Sequence, residues 1–115
     1  MDERLEKALE FSNFMVTLNN QKRILQEKYE QDIIYYIDGC QFTVNKELIC
    51  FCKIMLLQEQ DSIVLVDDNS RPIEIENLEE FYDNIMTKYF FANNEYMANY
   101  KKLTKTRDIQ KMVEL

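Results

Sequence analysis

The sequence predicts an α+β protein, mostly helical, in which two long antiparallel helices accompany a small three-stranded sheet and a short buried helix. Three observations carry this. The 115 residues include one glycine and one proline, and such sparse punctuation leaves few loops and long elements. Apolar residues recur at steps of three, four and seven towards both ends of the chain, the spacing of one helix face. Between them, QFTV, IVLV and PIEIE alternate polar with apolar residues or are rich in β-branched ones, which suits strands.

Residues 2–37 read as the first long helix. Ala8, Phe11, Met15, Leu18, Leu25, Tyr29 and Tyr36 form its stripe. Asp38-Gly39 is expected to stop it, because glycine accepts the left-handed conformation of a helix C-terminus. Residues 41–44, QFTV, form a strand. Asn45 then caps a helix over 46–58 by accepting a main-chain hydrogen bond in its first turn. That helix is apolar nearly all round and is expected to be largely buried.

Residues 62–76 read as a hairpin. IVLV is apolar on both faces and suits a central strand. PIEIE alternates and suits an outer one, with Pro72 allowed at its start. Asn77 followed by Glu80 resembles a capping box, with Asn in place of Ser or Thr. Leu78, Tyr82, Ile85, Tyr89, Ala92, Tyr96 and Leu103 continue as a coiled-coil-like seam over a helix spanning 78–104. A short helix over 107–114 closes the chain.

Hydrophobic residues make up 46% of the chain and charged residues 30%, enough for a core and a single domain over 1–115. No run of about 18 apolar residues would span a membrane. The charged start, MDERLEKALE, does not resemble a secretory signal, so a cytoplasmic protein is expected. Cys40, Cys50 and Cys52 are expected to be reduced.

The same composition argues against an enzyme. There are no histidines, which removes the commonest general base and every Ser/His or Cys/His pair. One glycine cannot build a phosphate-cradling loop. Cys50 and Cys52, two apart on a helix, project about 200° from each other and suit small buried apolar side chains better than a shared metal. The polar knot DDNSRP lacks the alternate spacing of a calcium loop. Asp, Asn, Ser and Pro each favour a turn, so the knot reads as an exposed hairpin corner whose Asp67 and Asp68 should tolerate replacement by Asn. No catalytic, cofactor-binding or metal-binding residue is expected.

Charge is unevenly laid out within a net charge of −7. Glu59 to Asp83 holds nine acidic residues and one basic, Arg71. Lys101, Lys102, Lys105, Arg107 and Lys111 face one acid, Asp108, near the C-terminus. Such a segment serves as a solvated helix end or as a docking patch for an acidic protein or nucleic acid. The aromatic side chains Phe14, Phe81, Phe90 and Phe91 lie off the main seams and are candidate contacts for a second copy, with a dimer the simplest assembly.

LEKALEFSNFMVTLNNQKRILQEKYEQ, GCQFTVNKELICF, VLVDDNSRPIEIENLEEF and YFFANNEYMANYKKL together resemble small proteins of contractile-tailed phages of marine cyanobacteria. The resemblance spans nearly the whole chain and transfers no functional residue. It implies a viral protein acting in the host bacterial cytoplasm or carried in the virion. The expected function is a non-enzymatic interaction, assembly or regulatory role on a larger phage or host protein. An accessory role in nucleic-acid machinery, through the basic C-terminal segment, is the alternative.

Overall fold

A computed structural model describes the backbone of residues 2–114 and the side chains as far as Lys105. The chain is α+β and mostly helical, as expected. Its elements are α1 (Glu3–Asp32), β1 (Ile34–Ile37), β2 (Cys40–Thr43), α2 (Lys46–Leu57), β3 (Ile63–Val66), β4 (Pro72–Ile75) and α3 (Leu78–Glu114). In place of the expected three-stranded sheet there are two antiparallel hairpins, β1–β2 and β3–β4.

The extra strand comes from the end of the expected first helix. Tyr29 accepts the last helical bond, from the Ile33 N–H at 3.1 Å, and the Ile33 carbonyl accepts from the Val44 N–H at 2.8 Å. Ile33 is therefore where helix becomes ladder. The run IIYYI is β-branched and aromatic, and it favours a pleated, half-buried surface over a helix. Asp38-Gly39 is the two-residue hairpin loop between Ile37 and Cys40, not a helix terminus. Asp38 has φ 48° and Gly39 φ 78°, positive at both central positions as a type I′ turn requires. A methyl group added at Gly39 would meet nothing within 4 Å, so Gly39→Ala is expected to cost about 1 kcal/mol through backbone strain alone. Urea titration would show this as a lower midpoint at unchanged slope.

Helix α2 starts as expected: the Leu48 N–H donates to Asn45 Oδ1 at 2.8 Å. It ends in a Schellman arrangement, with the Glu59 N–H on the Leu56 carbonyl and the Gln60 N–H on the Met55 carbonyl, both at 3.0 Å. Glu59 takes φ 62° there, a position usually given to glycine. The expectation that α2 is largely buried is wrong. Cys52 is its one fully buried residue, while Cys50, Phe51, Ile54 and Leu57 are exposed. Two hairpins and one neighbouring helix cover only one side of it.

Strand β3 is likewise not central, since among the described residues its only sheet partner is β4. In register with Ile75 and Ile73, Ile63 and Leu65 point inward, and Val64 and Val66 point to solvent. Helix α3 begins at the expected cap. The Glu80 N–H donates to Asn77 Oδ1 at 3.1 Å, and the Asn77 amide donates back to Glu80 Oε2 at 3.3 Å. α3 then runs to Glu114 without the expected break near residue 105.

The chain forms two compact units, one of residues 29–94 and one of residues 1–28 with 95–115. In the first, Cys40, Phe42, Val44, Cys52, Leu65, Ile75, Leu78, Phe81 and Ile85 make the core. The seam Leu78, Ile85 and Ala92 is buried, with Tyr82 and Tyr89 half-buried. In the second, Leu18 is buried, but Phe11, expected on the same stripe, is exposed.

Candidate interaction surface

The DDNSRP knot is more than a corner. Asp67 is only 5% exposed, which corrects the expectation of an exposed turn residue. Its Oδ1 accepts from the Asn69 N–H at 3.0 Å and the Arg71 N–H at 2.7 Å. Its Oδ2 accepts from the Gln41 N–H at 3.1 Å and from Arg71 Nε at 3.3 Å. Burial pushes this carboxyl up, but the N–H groups of Arg71, Gln41 and Asn69 and the Arg71 charge outweigh that and hold it below the usual carboxylate value.

Arg71 Nη2 also donates to the Gly39 carbonyl at 2.8 Å. The Asp68 N–H donates to the Gln41 carbonyl at 2.8 Å, and Thr43 Oγ1 donates to Asp68 Oδ2 at 2.6 Å. The knot is thus a clasp that fastens the corner of one hairpin to the edge of the other. It uses its carboxylates internally, and among the described residues no group of three or more acids or cysteines could hold a metal.

All three cysteines are free, with Cys40 and Cys52 buried and Cys50 exposed. The opposite facing of Cys50 and Cys52 agrees with their spacing, but the exposure of Cys50 corrects its reading as a small buried apolar side chain, because only one side of α2 is covered. Burial pushes the Cys52 thiol up to about 11, so it is inert at neutral pH.

The candidate contact residues separate. Phe81 is 2% exposed and packs edge-on against Tyr35 and Phe42, with ring centroids 5.7 and 5.6 Å away. It is core, which corrects its reading as a contact residue. Phe14 is half-buried. Phe90 and Phe91 are 57% and 61% exposed. Lys101, Lys102 and Lys105 are exposed on α3, and the side chains of Arg107 and Lys111 lie outside the described residues.

A groove of about 330 Å³ runs between α2 and α3, lined by Ile49, Cys50, Met86, Tyr89 and Phe90, with Lys46 and Asn93 beside them. Ile54 and Leu57 continue the outer line of α2 from Cys50 at steps of four and three, and Phe51 flanks it. Leu57 is 71% exposed. Sequence reasoning named Phe90 but missed the α2 side of this face because it took α2 as buried. The signal was Lys46 and Lys53: seven residues apart, they share one side of α2, so that side could not be core. Lys53 Nζ lies 5.6 Å from the centre of the Tyr82 ring, its charged end still outside.

Among the described residues, no helix is long and apolar enough to cross a membrane. No protein-family model, curated protein or solved structure matches the chain.

Proposed function

We propose that the protein is a non-enzymatic interaction protein that pairs with itself and binds a larger protein in an assembly or regulatory role. The observation that carries this is the exposed apolar surface of α2 and the adjoining part of α3, with Phe51, Ile54, Leu57 and Phe90 open to solvent. Exposed apolar surface of this extent often marks the place where a protein binds. In the viral setting that the sequence resemblance implies, the partner is a phage or host protein and the compartment is the bacterial cytoplasm. The two long helices run antiparallel in this reading. The test is affinity capture from infected-cell lysate with wild type and Phe90→Glu side by side. A stoichiometric protein captured by wild type and lost with Phe90→Glu supports the proposal, the same protein captured equally by both moves the binding site away from Phe90, and no stoichiometric capture by wild type sinks it.

A second reading rests on the exposed Lys101, Lys102 and Lys105. They would serve an accessory role on nucleic acid, whose phosphate contacts weaken steeply with salt. A mobility shift of DNA or RNA at about 50 mM salt that vanishes by about 200 mM would favour it.

A further inference from the structure

We infer that the self-association surface is the outer face of α2 together with the α2–α3 groove, and that its occupant is the same face of a second copy about a twofold axis. This rests on the self-pairing reading above and gives it a location. Three observations converge on a second copy.

The first is area. A whole aromatic side chain presents about 150–250 Å². At their exposures of 43%, 49%, 71% and 57%, Phe51, Ile54, Leu57 and Phe90 together offer on the order of 400 Å² of apolar surface. A standard interface buries about 800 Å² per partner, slightly more than half of it apolar. The patch therefore supplies about the apolar half of one complete interface, and a polar rim completes it.

The second is shape. An isologous pair needs a surface that carries both a ridge and a recess, because each copy must fill the other. Here Cys50 lines a recess of about 330 Å³ with Ile49, Met86, Tyr89 and Phe90, and the exposed Ile54 and Leu57 continue from Cys50 along the outer line of α2 as a ridge.

The third is charge. Residues 29–94 contain thirteen acidic residues against four basic ones, so two copies repel over most of this unit. Helix α2 is the exception, with Lys46 and Lys53 against Glu47. Two copies can meet there without juxtaposing like carboxylates, and Glu47 of one can face a lysine of the other. A rim carrying both signs is what a self-complementary contact needs.

Cys50 provides a probe built into the chain. It lines the groove and is the one exposed cysteine of the three. The experiment combines light scattering after size exclusion, at several concentrations, with maleimide labelling of Cys50. Wild type, Leu57→Glu and Phe90→Glu are compared, with circular dichroism to verify folding. Leu57 and Phe90 are exposed, so neither glutamate disturbs the core. The expected result is a wild-type dimer, with Cys50 labelling that slows as concentration rises through the dissociation constant. Leu57→Glu should be a folded monomer at the same concentrations, its dissociation constant raised at least about 100-fold, and its Cys50 should label at a concentration-independent rate. A dimer that persists in both variants, with Cys50 labelled equally fast at all concentrations, overturns the location but leaves self-association standing. A monomer mass at every concentration overturns both.

Discussion

Phe81→Ala is expected to be the most damaging single substitution in the chain, at about 3–5 kcal/mol. Phe81 fills the centre of the core, with Tyr35 against it from β1 and Phe42 from β2. Truncation leaves a cavity that those rings cannot close without leaving their hairpin. It also removes two edge-on aromatic contacts, each worth about 0.5–1.5 kcal/mol beyond area burial. A domain of this size has about 5–15 kcal/mol in total, so a large part of its stability goes with one ring. Phe91→Ala, ten residues along the same helix and exposed, should stay within about 0.5 kcal/mol. Urea denaturation of the two variants side by side checks this. Equal losses would mean that Phe81 is not the core residue described.

Asp67→Asn is expected to have the second-largest effect, lowering Tm by on the order of 10 °C. The carboxylate is shaped to accept four hydrogen bonds and donate none. An amide in its place turns an N–H₂ group towards donors on at least one side, and a buried donor facing donors is left unpaired. Asp68→Asn should do far less, because Asp68 is exposed and its best contact is with the Thr43 hydroxyl. Differential scanning calorimetry separates the two.

The pH dependence follows from the depressed folded-state value of Asp67. A carboxyl that is more acidic when folded stabilises the protein above its unfolded value of about 3.9, and this contribution fades as pH falls through the folded value. The Tm gap between wild type and Asp67→Asn should therefore be full at pH 5–7 and narrow progressively below about pH 4. A gap that stays constant down to about pH 2 would show that the carboxylate charge is not what holds the clasp.

Much of the local structure was legible in the sequence because it depends on neighbours in the chain. Asn45 caps α2 and Asn77 caps α3 through bonds to residues three positions on. The inward seam of α3 followed from its spacing, and the β3–β4 turn from its residue types. The hairpin at Asp38-Gly39 is also written locally, in IIYYI followed by DG, but a helical stripe running on to Tyr36 competes with it. Periodicity alone cannot choose between helix and strand over four or five residues, whereas the ladder bond from Val44 to Ile33 can.

The sequence by itself determined that this chain is mostly helical, acidic and without histidine, and where two of its helices begin. Those properties depend on composition or on interactions within a single turn of chain. Only the tertiary structure decided that Asp67 is buried, that Phe81 is core while Phe91 is not, and that one face of α2 is left open. Each of these depends on a partner far away in sequence: Gln41 for Asp67, Tyr35 and Phe42 for Phe81, and α3 for the groove beside α2. Burial is a property of what packs against a residue. An apolar helix carries no mark of which side its neighbours will cover, because hydrophobic attraction has no direction of its own.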